Sequence, residues 1–282
     1  MSSYPRSVKE QLGILHDLMG IAREEEKKKS KKHLVVTNKG TRSEWYLVQE
    51  HQKREYLPKK NRELAVRLAR NEYAADFLKT AGALQKQLKQ LDARGETRSS
   101  SFMYHALADV YEKLSDGRKE LVEPYVVSDE VFLKNWLEEP YQKKSYDELK
   151  LRLENEGKQL TEIVSEKGDI VHSKSEKMIA DKLLALGIPY RYECQLNLGK
   201  RTEIYPDFTI LDIRERREVY FEHLGMMDST QYTNDMAWRL NQYFTNGYCL
   251  GQDLIFTAES DKHVLDTKVL EMILRERFLE ER

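Results

Sequence analysis

Cysteine and proline are both scarce in this chain of 282 residues, which holds two of the first and six of the second. Cys194 and Cys249 stand alone, with no CxxC and no Cys/His cluster beside them. That pattern excludes a disulfide framework or a cysteine-based metal site and fits reduced thiols in a core. Long hydrophobic runs are missing as well: no stretch approaches the ~18 to 20 apolar residues that span a bilayer. The opening Met1-Ser2-Ser3-Tyr4-Pro5-Arg6 has neither the apolar core nor the small-residue cleavage site of a secretory signal, so a cytoplasmic location and no membrane partner are expected. A GxxxxGK[ST] phosphate loop is also lacking, which leaves no visible nucleotide-driven motor, and neither GxSxG nor HExxH occurs.

What is present is charge. Charged residues make up 34% of the chain, yet the formal net charge is only -1. The near-balance is an average over unlike segments. Residues 1 to 100 hold 22 basic and 13 acidic side chains, whereas residues 101 to 165 and 166 to 282 are each acidic by five. A basic front on an acidic remainder suits a surface that faces nucleic acid, and equally a set of solvated lysine-rich helices.

Two regions are expected, 1–165 and 166–282. In the first, Val8, Leu12, Leu15, Leu18 and Met19 recur at helical spacing and run into Glu24-Glu25-Glu26-Lys27-Lys28-Lys29. His33 to Thr37 and Glu44 to Val48 flank Asn38-Lys39-Gly40, which predicts a small β-hairpin turning at Gly40. From Asn61 a long helical pattern places Phe77, Ala81, Leu84, Leu88 and Leu91 on one face, a stripe that packs on a partner helix. Shorter helices follow, broken near Pro124 and Pro140. The region is therefore mainly helical and basic at its front, a place to hold nucleic acid or a protein partner.

After Val171 the texture changes to an α/β unit. Ser173 to Gly187 predicts a helix, followed by strands at Tyr190–Leu196, Glu203–Leu211 and Glu218–Leu224. A helix over Thr230–Phe244, a strand at Asp253–Thr257 and a terminal helix from Thr267 complete it. If the second and third strands turn at Arg214-Glu215, Asp207 lies directly opposite Glu222, with Cβ atoms roughly 4.5 to 5.5 Å apart. Facing carboxylates repel unless a cation or a proton intervenes. Mg²⁺ fits, because it takes one or two carboxylates and fills its remaining positions with water and phosphate oxygens.

Tyr205-Pro206-Asp207-Phe208, Tyr220-Phe221-Glu222-His223-Leu224-Gly225 and the upstream Ser173-Lys174-Ser175-Glu176 together resemble the PD-(D/E)XK nuclease superfamily over residues 171 to 282, in a variant with Pro-Asp and Glu-His-Leu-Gly motifs. The resemblance implies a restriction-endonuclease-like αβββαβ core. It also implies a nuclease dependent on Mg²⁺ or Mn²⁺, with Asp207, Glu222 and Glu176 around the metal and DNA as the main substrate class. One departure matters. The third-strand lysine of that motif would stand at Leu224. Arg239 is the replacement considered, since it lies four residues before Tyr243 on one helical face and keeps its charge, although it is a poor base. Lys174 and Lys177 are weaker substitutes.

Other roles follow from spacing. Ser173-x-x-Glu176 also reads as a capping box, with the glutamate returning a bond to the serine amide. His223 alternates to the face opposite Glu222 and is expected to support rather than to act as a base. His172 and Lys174 are candidates for phosphate contact, Tyr243 for phosphate or supporting contact, and Tyr232 and Trp238 are expected in the core. Two competing readings stand beside the nuclease: a catalytically inactive binding module of the same fold, suggested by Leu224, and a helical interaction protein acting through residues 1–165.

Overall fold

The computed structural model describes residues 6–26, 30, 32–39, 42–49, 52–144, 163–199 and 202–279. The chain divides into two compact units, Pro5–Leu137 and Glu138–Arg282.

In the first unit α1 (Val8–Glu26) buries Leu15, Met19 and Ala22 against Phe77, Ala81, Leu84 and Leu88 of α2 (Arg62–Arg94) and against Met103 and Leu107 of α3 (Ser101–Glu112). This is the stripe expected from the spacing. The long helix stops where Gly95 takes a left-handed φ of 67° and its N–H returns to the carbonyls of Leu91 and Asp92. β1 (His33–Lys39) and β2 (Arg42–Val48) pair antiparallel as expected, while the turn residue Gly40 lies outside the described residues, as do Lys27 to Lys29. A third strand, β3 (Glu55–Leu57), extends the hairpin to a sheet of order β1-β2-β3. Only three residues long and flanked by charges, it carries too little alternation to announce itself. The sheet's inner face sets Leu34, Trp45, Leu47 and Leu57 against Leu68, Ala69 and Tyr73 of α2. Two shorter helices complete the unit, α4 (Asp116–Lys119) and α5 (Asp129–Glu138).

The second unit begins 28 residues earlier than the sequence division at 166. Its early residues are held by the later strands: Gln195 N–H donates to the Gln142 carbonyl, Lys144 N–H to that of Glu193, and Arg191 to that of Glu139. A two-stranded ribbon of β4 (Ile163–Val164) and β5 (Ile170–Val171) precedes α6 (Lys174–Ala185). The main sheet has the order β11-β10-β9-β6, built from β6 (Tyr190–Tyr192), β9 (Phe208–Asp212), β10 (Arg217–Leu224) and β11 (Leu254–Ala258). β10 and β11 are parallel, joined by the crossover helix α7 (Thr230–Thr245), and the other pairings are antiparallel. One sheet face, with Phe208, Ile210, Val219 and Phe221, packs on Ile179 and Leu183 of α6 and on Leu270 and Leu274 of α8 (Thr267–Phe278). On the other face Tyr220 and Leu254 pack on Tyr243 of α7. An α/β unit preceded by a mainly helical one with a small sheet is thus observed. No described helix is long and apolar enough to cross a membrane.

Two expected strands are shorter than the sequence suggested. Tyr190–Leu196 breaks at Glu193, whose φ is 45°, and Glu203–Leu211 breaks at Tyr205-Pro206-Asp207. Proline offers no amide to a ladder, and a non-glycine residue with positive φ turns the chain out of the sheet. Between the breaks a separate hairpin forms from β7 (Leu196–Leu198) and β8 (Thr202–Ile204).

Candidate functional site

The pairing of β9 with β10 has the register that a turn at Arg214-Glu215 demands: Asp212 faces Arg217 and Phe208 faces Phe221. Asp207 is the next residue beyond the last pair, and Glu222 its counterpart. Alternation from Phe208 and Phe221 sends both acids to the α7 face. Asp207 is anchored twice. Its carbonyl accepts from Glu193 N–H at 3.1 Å, and its Oδ2 accepts from His223 N–H at 2.6 Å. The break at Pro206 therefore has a geometric result: it frees the Asp207 carboxylate to reach the end of β10.

Glu222 is only 1% exposed. Its Oε1 accepts the Tyr243 hydroxyl at 2.6 Å and lies 2.8 Å from Arg239 Nε. Both donors come from α7, one turn apart, as their i,i+4 spacing predicted. The Arg239 guanidinium also donates through Nη2 to the Tyr205 carbonyl, so it ties the segment before Asp207 to Glu222.

The electrostatics are first those of buried acids. Burial, then the charges of Glu222 and Glu176, push the Asp207 carboxyl well above its ordinary range, against the opposing pull of Arg239 and the His223 amide. Glu222 is also raised, by burial, although Arg239 and Tyr243 restrain it. Burial alone would lower Arg239, but Glu222 and Asp207 overcome it and hold the guanidinium charged. Tyr243 is raised by burial and by Glu222, so its proton stays on the hydroxyl as a donor.

Glu176 is engaged at both oxygens. Oε1 accepts the Ser173 hydroxyl at 3.1 Å, and Oε2 accepts His172 N–H at 2.9 Å and the Tyr192 hydroxyl at 2.6 Å. Ser173 caps α6 by accepting Glu176 N–H at 3.0 Å. The capping box is thus shifted by one residue from the expected form, for the carboxylate returns to the amide of His172 rather than to that of Ser173. Glu176 still contributes negative charge at Asp207. His172 turns its Nδ1 to Glu193, 3.5 Å away, and Lys174 is exposed on the first turn of α6. Lys177 is paired with Asp181 at 2.6 Å, which removes it as a free cation for the site.

His223 points away from Glu222, as alternation required. Its ring lies between Thr257 Oγ1, at 2.9 Å from Nδ1, and Glu259 Oε1, at 3.2 Å from Nε2. Ser175 Oγ lies 2.8 Å from each Glu259 oxygen. Burial would raise Glu259, but Ser175, His223 and the Leu265 amide hold it below its usual range. This brace joins α6, β10 and β11 behind the His223 amide that holds Asp207. Glu259, Tyr192 and Glu193 did not emerge from the sequence, and Ser175 did so only as part of the Ser173-Lys174-Ser175-Glu176 motif with no role given, because their partners are distant along the chain. Tyr232 bridges the Gly225 amide and the His223 carbonyl. Trp238 is 56% exposed, contrary to the core position expected for it, since the inward face of α7 is set by Tyr232, Met236, Arg239 and Tyr243.

Among the described residues no three His, Cys, Asp or Glu side chains form a ready metal-ligand group. Asp207 and Glu222 are two hard carboxylates, the donor chemistry that suits Mg²⁺ or Mn²⁺ with other positions left to water or phosphate. No protein-family model matches the chain, and no curated protein or solved structure matches it either, so function has to be argued from this geometry.

Proposed function

We propose that the chain is a metal-dependent nuclease that hydrolyses phosphodiester bonds, with DNA as the main substrate class and a restriction-endonuclease-like core in its second unit. One observation carries the reading: Asp207, just before β9, and Glu222, on β10, are close enough for the charge of Glu222 to raise Asp207, and burial raises both carboxyls. The order α6, β6, β9, β10, α7, β11 also supports it, with the β7–β8 hairpin as an insertion.

Asp207 and Glu222 would hold the cation. Bound Mg²⁺ or Mn²⁺ supplies Lewis-acid activation of water and neutralises phosphate charge. Tyr243 and Arg239 fix the orientation of Glu222, and the His223 amide fixes that of Asp207. Arg239 stands where the missing lysine's charge is needed. It would stabilise charge building on the phosphate without accepting a proton. Lys174, exposed at the start of α6, would be that helix's contact to a phosphate of the bound strand. A cytoplasmic role and a nucleic-acid partner belong to the same proposal.

The test is incubation with labelled single- and double-stranded DNA and RNA in Mg²⁺, Mn²⁺ or EDTA. Cleavage is expected with metal, and a loss of at least a hundred-fold in Asp207→Ala and Glu222→Ala. Mutants that cleave like the wild type would overturn the site. A second reading, an inactive nucleic-acid-binding module, is favoured by Leu224: that residue is 4% exposed and apolar where the motif carries its lysine. Mn²⁺ binding lost in Asp207→Ala, with no cleavage of any substrate by the wild type, would select it.

A further inference from the structure

The outer face of the β1-β2-β3 sheet carries an aromatic and cationic surface with no part in the carboxylate site. Val35, Tyr46 and Tyr56 are aligned across the three strands. Because Leu34, Trp45, Leu47 and Leu57 take the inner face, strand alternation sends Tyr46 and Tyr56 outward. Tyr56 is 54% exposed. Tyr56 lies on β3, at the edge of the sheet, where its ring stays open to solvent beside Tyr46.

The two rings lie 5.8 Å apart at 71°, an edge-on contact in which they do not stack on each other. The Arg54 guanidinium carbon sits 6.0 Å from the Tyr46 ring centre. Lys53 and Arg54, just before Tyr56 in the chain, are exposed, as is Arg42, which alternates to the same face of β2 as Tyr46. Among the described strand residues the acid alternating to this face is Glu44, and it is already engaged: it accepts the Tyr46 hydroxyl at 2.6 Å and pairs with Lys39 at 3.0 Å. Its role is to fix the Tyr46 ring, so that the platform is set before anything binds. The surplus of charge on the face is positive, in the segment of the chain that carries the basic excess.

We propose that this face binds a single strand of nucleic acid, with bases stacking on Tyr46 and Tyr56 and phosphates meeting Arg42, Lys53 and Arg54. Stacking on aromatic side chains needs unpaired bases, and flanking cations supply affinity without regard to sequence. A flat sheet face has no helix or ribbon to enter the groove of a duplex. DNA and RNA present the same chemistry here, base faces joined by phosphates. The inference deepens the proposed function by naming the form of the substrate and where it is gripped, but it rests on surface residues alone and can fail separately.

The experiment is fluorescence anisotropy of the full chain in EDTA, where cleavage is blocked, with labelled twelve-nucleotide single strands of DNA and of RNA and a duplex of the same length. Single strands bind tighter than the duplex, and the stronger of the two identifies the physiological source. Tyr56→Ala weakens single-strand binding by about ten-fold or more, and Tyr56→Phe restores it to within about two-fold, because the ring rather than the hydroxyl stacks. Arg54→Ala lowers the dependence of log affinity on log salt by about 0.7. Tyr56 is exposed, so its loss leaves the fold intact, which circular dichroism verifies. Equal affinity of Tyr56→Ala and wild type, or preference for the duplex, overturns the proposal. Cleavage is measured separately with Mn²⁺. A wild type that binds through Tyr56 yet never cleaves refutes the nuclease reading alone, and one that cleaves without any effect of Tyr56→Ala on binding refutes the platform alone.

Discussion

Replacing Arg239 with methionine keeps most of the stem and removes the charge, and so tests whether the guanidinium is what lets Glu222 stay ionised where it is 1% exposed. The ion pair has a separation of 2.8 Å. At an effective dielectric constant of ~20 this is roughly 6 kcal/mol of gross attraction. Desolvation of the guanidinium cancels part of it, and the 23% exposure of the Arg239 side chain admits some solvent screening. A net loss of about 3 kcal/mol is expected, at the low end for breaking a buried pair. In hydrogen exchange that corresponds to protection of the β10 amides falling on the order of a hundred-fold at pH 8. The deficit shrinks toward pH 5, because Glu222 can then take up a proton and no uncompensated charge is buried. Adding Glu222→Gln to Arg239→Met removes the orphaned charge and recovers most of the loss. Exchange within three-fold of wild type in Arg239→Met, or a double variant no better than the single, would refute the account.

Tyr243→Phe deletes a donor to a buried carboxylate and costs about 1.5 to 3 kcal/mol by urea denaturation, and a change below about 0.5 kcal/mol would mean that the hydroxyl is not holding Glu222. The raised Asp207 and Glu222 carboxyls set the sign of a pH effect: the folded chain keeps protons that the unfolded chain releases, so this pair's contribution to stability is greatest below about pH 4 and falls as pH rises through the folded values. Denaturation midpoints of the wild type between pH 4.5 and 8 should show that decline and Asp207→Asn should flatten it; identical slopes would contradict the assignment. Glu259→Gln loosens the brace behind the His223 amide and is expected to weaken calorimetric Mn²⁺ affinity about ten-fold, with single-strand binding in EDTA unchanged. Unaltered Mn²⁺ affinity would make the brace irrelevant to the site.

Much of the second unit was legible because its signals are local. The turn at Arg214-Glu215 set the β9–β10 register as far as Phe208 and Phe221, and the four-residue step from Arg239 to Tyr243 put both on one face of α7, the face that meets Glu222. The breaks at Glu193 and Pro206 were harder. Apolar residues continue through both, so periodicity alone joins strands that the backbone separates, and the β7–β8 hairpin is too short to show a period of its own. Glu259 was invisible for another reason. It follows β11 by one residue and meets Ser175 across 84 positions, and nothing in either segment signals the other. In the first unit β3 escaped for want of length, although it supplies Tyr56 and completes the outer face.

If the proposed function holds, Arg239 supplies the positive charge that the resembled motif carries two residues beyond Glu222, where this chain has Leu224. Leu224 is on the same strand face as Glu222 by alternation, and it is buried. A lysine there would have to bury its ammonium or reach past the strand end, and on the same face it would compete with Arg239 for Glu222. With the positive charge carried by α7 instead, β10 can end in leucine and the site still has its cation. The helix-borne guanidinium differs from a strand lysine in one chemical respect: it is held at one end by Glu222 and at the other by the Tyr205 carbonyl, and it does not give up its proton. Under the proposed function, therefore, proton acceptance must fall to another group, while Arg239 fixes the two segments that present Asp207 and Glu222. Under that proposal a helix-borne cation adds rigidity to the acid pair and leaves β10 without a base.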